Sequence, residues 1–166
     1  MSFDLYFVPP PDDDDWDAVM DELEAAAESS RAFTADDLAV WERIKSGVTP
    51  LGSGWDETIG ERFRELSSVS AGMQVSMSPG EISLTVAYWH TGEEAKEIVS
   101  HLRRVAVTIE EATGLVAYDP QAGGPFVTSE DAATAATFDQ SAAALQTQME
   151  DQEPPARKRR WPFNAR

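Results

Sequence analysis

Cysteine is absent from this 166-residue chain, which excludes disulfides, thiolate-held zinc and a cysteine nucleophile together. Histidine is scarce, with His90 and His101 the only two. Basic residues are also few, 13 against 30 acidic, for a formal net charge of −17. Residues 151–166 hold five basic and two acidic groups (+3), so residues 1–150 carry −20. A body of that sign repels nucleic acid and anionic membranes, because phosphates are bound by clustered Lys and Arg. The expected partner is a protein with a basic surface. No apolar stretch approaches the ~18 residues of a membrane span, so no transmembrane segment is expected. The start, Met1-Ser-Phe-Asp-Leu-Tyr-Phe, lacks a basic segment followed by an apolar run, and a cytoplasmic location is expected. P-loop, dinucleotide fingerprint, serine nucleophile elbow and His-Glu-x-x-His are missing, and no fixed period repeats. No cofactor is therefore expected.

What is present is densest between Met73 and Gln121. Met73 to Ser78 alternates, Pro79-Gly80 supplies a tight turn, and Glu81 to Tyr88 alternates again, which predicts a β-hairpin. Thr91, with Glu94 three residues on, has the form of a helix cap. Ala95, Ile98, Val99, Leu102 and Ile109 then follow one helical face until Gly114. Leu115-Val-Ala-Tyr-Asp-Pro reads as a last strand closed by its proline.

Upstream, Phe3, Leu5 and Phe7 alternate with Asp4, Tyr6 and Val8, predicting a strand that Pro9-Pro-Pro ends. The run Asp12 to Asp15 opens a helix whose stripe is Trp16, Val19, Met20, Leu23 and Ala27. Thr34 caps a second helix with Leu38, Trp41 and Ile44, and Trp55, Ile59, Phe63 and Leu66 predict a third. The order of elements is that of an α+β, ferredoxin-like two-layer sandwich. Its expected form is a four-stranded, mainly antiparallel sheet, with the helices containing Val19 and Leu102 on one face; a meander with the first strand at the edge is the competing arrangement. Three regions are expected: an α+β domain over 1–121, a loosely docked or partly disordered Ala-rich helix over 122–152, and a basic tail over 153–166. Ser129 caps the Ala-rich run, whose large apolar residues are Phe138, Leu145 and Met149. Residues 157–163, Arg-Lys-Arg-Arg-Trp-Pro-Phe, are expected to lie in a flexible, functionally silent end, with weak docking on the acidic body or contact with an anionic membrane or nucleic acid as the alternatives.

Several residues invite chemistry. Asp13, Asp15, Asp17 and Glu24 match four positions of a calcium loop, yet Ala18 stands where its sharp turn needs glycine, so no metal site is expected. His90 follows Tyr88-Trp89 at a strand end, where loops present functional groups. A dyad with Asp119 is not expected, because antiparallel third and fourth strands would put the two residues at opposite edges, about 15–20 Å apart. His90 would share an edge with Pro9 and the acidic run, and Asp4, Tyr118 and Asp119 would share the other with Pro79-Gly80. Trp89 falls on the small, polar side of its strand and is expected at the surface.

The opening Ser2-Phe-Asp-Leu-Tyr-Phe, the Tyr88-Trp89 followed by Thr91-Gly92, and the closing Thr113-Gly-Leu-Val-Ala-Tyr-Asp-Pro-Gln resemble a family of small, uncharacterised actinobacterial proteins. The resemblance covers roughly residues 2–121 and transfers no functional residue. The compact, acidic format is also similar to immunity proteins of bacterial toxin systems. These features point to a non-enzymatic protein-binding module, an immunity or regulatory protein, with Trp89, His90, Tyr118 and Asp119 as binding residues. The alternative is a small hydrolase or isomerase with an acidic site at a sheet edge, built from Asp4, Tyr118 and Asp119 or from His90 with the acidic run.

Overall fold

The computed structural model describes residues 2–11, 15–27, 31–127, 134, 136–141 and 143. Of the features expected above, Asp12 to Asp14, Ser129, Leu145, Met149 and the tail 157–163 lie outside the described residues. The side chains of Asp17, Glu24 and Ala27 do as well.

Strand β1 (Ser2–Val8) alternates as its sequence requires, burying Phe3, Leu5 and Phe7. Helices α1 (Trp16–Ala27) and α2 (Ala35–Val48) follow, then a 3-10 turn over Thr49–Leu51. The remaining elements are β2 (Trp55–Ile59), β3 (Arg64–Ser68), β4 (Met73–Ser78), β5 (Glu81–Ala87), α3 (Gly92–Thr113), β6 (Val116–Asp119) and the two-residue β7 (Gly124–Pro125). Among the described residues, seven strands form one antiparallel sheet in the order β2-β3-β4-β5-β1-β6-β7. The α+β class holds, with more strands than the four expected.

Local chemistry accounts for most boundaries. The β4–β5 hairpin pairs Met73 with Val86 and Ser78 with Glu81, and Gly80 takes the positive φ of 100° that its tight turn needs. Thr34 caps α2 through its hydroxyl to the Asp37 amide, and the Asp37 carboxylate returns to the Thr34 amide at 2.8 Å. Gly114 ends α3 in the left-handed region and donates to the Glu110 carbonyl at 2.7 Å.

Three expectations are corrected. The third helix expected from Trp55, Ile59, Phe63 and Leu66 is the hairpin β2–β3, in register from Trp55 opposite Ser68 to Ile59 opposite Arg64. Four-residue spacing imitated a helical stripe there. Trp55, Glu57 and Ile59 also alternate, and Trp41 Nε1 donates to Glu57 Oε1 at 2.8 Å, holding that strand against α2. Second, α2 rather than α1 accompanies α3 over the sheet. Trp41, Ile44 and Val48 join Leu102, Val105 and Ile109 in the core, whereas no described α1 side chain belongs to it. The two helices approach closely at Gly47, where a Cβ would lie 2.6 Å from Thr108 Cγ2. Helix α1 instead stacks Trp16 on Tyr118, with centroids 5.1 Å apart; Tyr118 stands opposite Tyr6 in register and so projects from the other face.

The third correction concerns strand direction. Both β5 and β6 run antiparallel to β1 and are therefore parallel to each other. Their C-terminal ends, which lead to His90 and Asp119, lie at the same end of the sheet. Pro9 and the Pro79-Gly80 turn share the opposite end. The expected groupings of His90 with Pro9 and the acidic run, and of Asp119 with Gly80, are thus exchanged.

At the His90 end, Phe126 and Phe138 are fully buried and extend the core beyond β6. Phe138 packs on Phe3 at 5.4 Å and on Tyr88 at 5.1 Å between ring centroids. Of the region 122–152, the described Phe126 and Phe138 are therefore core residues. Truncating a fully buried phenylalanine to alanine removes its transfer energy and leaves a cavity, so Phe138→Ala is expected to lower stability by about 3–5 kcal/mol. Urea denaturation measures it; a loss below about 1 kcal/mol would show that this segment contributes little to the folded core.

Candidate functional site

Alternation along β5 continues past its last paired residue. Tyr88 turns into the core, Trp89 turns out, and His90 turns in again: their exposures are 5%, 65% and 3%. Tyr88 is fixed by its hydroxyl, which lies 2.6 Å from Gln121 Nε2 and 2.9 Å from Gln121 Oε1. Burial raises the Tyr88 hydroxyl above its ordinary range, against the opposing pull of hydrogen bonds to Gln121 and Ser141.

Trp89 is exposed without being loose. Its ring lies against Gly72 in the β3–β4 turn, where a Cβ would meet Trp89 Cζ2 at 2.6 Å. Gly72 also has φ of 60°, so glycine is required there for two reasons, the backbone and the seat. The Gly72 carbonyl accepts from the Ala87 amide at 3.2 Å, tying the turn to the end of β5. On its other side Trp89 meets His90 edge to face, with centroids 5.8 Å apart. Val69, 83% exposed, stands in the same turn as Gly72.

His90 is buried, contrary to the loop-presented imidazole that the sequence suggests. Its Nδ1 lies 3.1 Å from Glu94 Oε1, but the contact lacks hydrogen-bond alignment, and neither ring nitrogen has a hydrogen-bond partner. The side chain of Glu94 is two-thirds exposed. Thr91 occupies the N-cap position of α3 with extended backbone, yet its side chain makes no cap bond. Asp139 supplies the acceptor instead, taking the Gly92 amide at 2.8 Å. Glu94 is thus free of the reciprocal capping role expected for it.

Tyr118 and Asp119 are both buried, at 6% and 4%. Asp119 closes its own turn: Oδ1 accepts from the amides of Gln121 at 2.8 Å and Ala122 at 3.3 Å. Burial raises the Asp119 carboxyl above its ordinary range, and the two amides oppose that shift. Asp4 projects from the open face of the sheet, accepting from Thr85 Oγ1 at 2.7 Å and Ser2 Oγ at 2.9 Å. Of the four expected binding residues, Trp89 and His90 touch each other. Asp119 lies at the same end, connected through Gln121 to Tyr88, while Tyr118 packs under Trp16 on the other face. His101, on α3, is half-buried; burial first and then Arg104 push its pKa down.

Asp4, Tyr88, Tyr118 and Asp119 are each engaged in packing or in structural hydrogen bonds. No group of three or more His, Asp or Glu suited to a metal occurs among the described residues. No described helix is long and apolar enough to cross a membrane. Gly72, Gln121 and Asp139 complete this end of the sheet and went unnoticed in the sequence; only Gly72, just before the alternating run from Met73, carried a local mark. No protein-family model, curated protein or solved structure matches the chain.

The raised pKa of Asp119 has a definite sign. Its contribution to stability is fully present below the unfolded value, about 3.9, and is lost as pH rises through the higher folded value. The substitution Asp119→Asn keeps the Oδ1 acceptor for both amides and removes the titration. The variant is therefore expected to be at least as stable as the parent at pH 7, with the parent's relative stability falling as pH rises above the unfolded value of about 3.9. Urea titrations at several pH values check this, and a parental advantage that grows with pH would show that the amides outweigh burial.

Proposed function

We propose that this chain is a non-enzymatic protein-binding module that docks an acidic surface on a basic partner, with Trp89 as the central anchor. The observation that carries this reading is the 65% exposure of a tryptophan held between Gly72 and His90 beside the carboxylate of Glu94. A large aromatic already fixed in place gives up little conformational entropy on binding, which is the property of interface anchors. The body charge of −20 supplies long-range attraction for a basic protein and fast, salt-sensitive association.

An immunity or regulatory protein acting in the cytoplasm fits this format, and so does membership of the small actinobacterial family that the opening and closing motifs resemble. The inner strand order β4-β5-β1-β6, with α3 between β5 and β6, supports a ferredoxin-like core to which β2 and β3 are added. The alternative of a small hydrolase or isomerase finds less support, since Asp4, Tyr118 and Asp119 are committed to neighbouring groups and His90 is enclosed.

Trp89→Ala is expected to weaken partner binding about 30-fold or more, the loss of an anchor worth about 2 kcal/mol. Thermal stability should change little, because most of the side chain faces solvent. Affinity capture from native lysate with the parent and the variant, followed by binding measurements on the retained protein in low and high salt, makes the comparison. Retention of small metabolites alone, or equal affinity for both proteins, overturns the reading.

A further inference from the structure

At the end of the sheet opposite Trp89, a groove of about 560 Å³ runs between α1 and the exit of β1. That volume lies within the ~300–1,000 Å³ typical of ligand clefts. Phe7, Val8, Val19 and Leu115 contribute apolar lining, and Asp15 and Glu22 add carboxylates from one side of α1. Positions 15, 19 and 22 share a helical face, so the acids flank the apolar residue between them. Asp15 Oδ1 also accepts the Ala18 amide at 3.1 Å, fixing where that carboxylate stands. Among the described residues, no Lys or Arg forms an ion pair with Asp15 or Glu22. The groove is therefore matched to a group that is both apolar and cationic.

The chain carries one such segment itself. Arg157-Lys-Arg-Arg-Trp-Pro-Phe combines four adjacent cations with two aromatic rings, on a protein whose first 150 residues sum to −20. We propose that residues 157–163 of the same molecule dock in this groove, with Trp161 and Phe163 on the apolar lining and the basic run against Asp15 and Glu22. Reach does not prevent it. Phe138 is seated near Phe3, and the groove lies at the Val8 end of β1, roughly 20 Å away at ~3.3 Å per residue. Positions 144–156 can span up to about 45 Å when extended. Tethering raises the effective concentration of the segment, so a weak contact suffices to fill the groove. Occupancy would also withdraw cations from solution and leave the Trp89 end of the sheet open to an external partner.

The absence of native cysteine makes a distance measurement on the full chain direct. Spin labels are placed at Ala25→Cys, on the exposed side of α1, and at Asn164→Cys. The expected result is a narrow short-distance component. It should be lost in Asp15→Asn with Glu22→Gln, in Trp161→Ala with Phe163→Ala, and in 1 M salt, where the screening length falls to about 3 Å. Asp15→Asn retains a good helix cap, and circular dichroism verifies that α1 persists. A broad distribution unchanged by these variants overturns the proposal. So does a short component that survives Asp15→Asn with Glu22→Gln but disappears in Trp89→Ala, which would place the tail on the other end of the sheet. Loss of the component on mixing with excess unlabelled chain would assign the tail to a second copy and equally rule out docking within one molecule.

Discussion

Phe3 is the contact through which the first strand is joined to the end of β5 and to Phe126 and Phe138. From the second residue of β1 it meets Tyr88 edge to face at 6.2 Å, Phe126 at 5.9 Å and Phe138 at 5.4 Å between centroids. Each such pair adds about 0.5–1.5 kcal/mol beyond its buried area. The larger effect is positional. Tyr88 held in the core forces Trp89 outward by simple alternation, and Phe138 brings Asp139 to the amide that begins α3. The exposed anchor and the helix start both depend on this aromatic cluster, although neither is part of it.

Charge is arranged so that it stays available. On the open face of the sheet, Asp4 is held by Thr85 and Ser2, and Glu65 by the Gln74 amide at 2.7 Å. Hydroxyls and amides orient these carboxylates without neutralising them. The ion pairs that do form, such as Lys45 between Glu42 and Glu57, are near the surface and contribute little to stability. An acidic body built this way keeps its field for encounter with another molecule rather than consuming it internally.

What the sequence disclosed was what local rules govern. Alternation placed β1 and the β4–β5 hairpin, Thr34 as a cap marked α2, and the long stripe from Ala95 to Ile109 marked α3 with Gly114 as its stop. The stretch from Trp55 to Leu66 failed because its apolar residues satisfy a helical period and, in part, a strand period; pairing with β3 decided between them. His90 was misplaced for a different reason. Two strands that each oppose β1 must agree with each other, and that relation exists only in the assembled sheet. Trp89 was legible because alternation alone sends it outward, but its seat on Gly72 was not, since that contact joins positions that only the β3–β4 turn brings together. Asp139 as the acceptor for Gly92 carries no signal near Thr91 at all.

The sheet also has a border with consequences. Among the described residues, strand β2 is outermost and mostly exposed, so the backbone groups that it does not share with β3 border one rim, a template on which a second copy could lengthen the sheet. Asp56 and Glu57 sit at its centre, and in antiparallel self-pairing each would meet the carboxylates of the other copy. Trp41, then Lys45, hold Glu57 below the ordinary carboxylate range, so its charge persists further into acid than that of an unpartnered glutamate. The sequence isoelectric point near 4.3 is where the whole molecule also loses its mutual repulsion. Dispersal of the molecules and guarding of this rim thus both rest on carboxylate charge, and at Glu57 that charge outlasts the onset of acid.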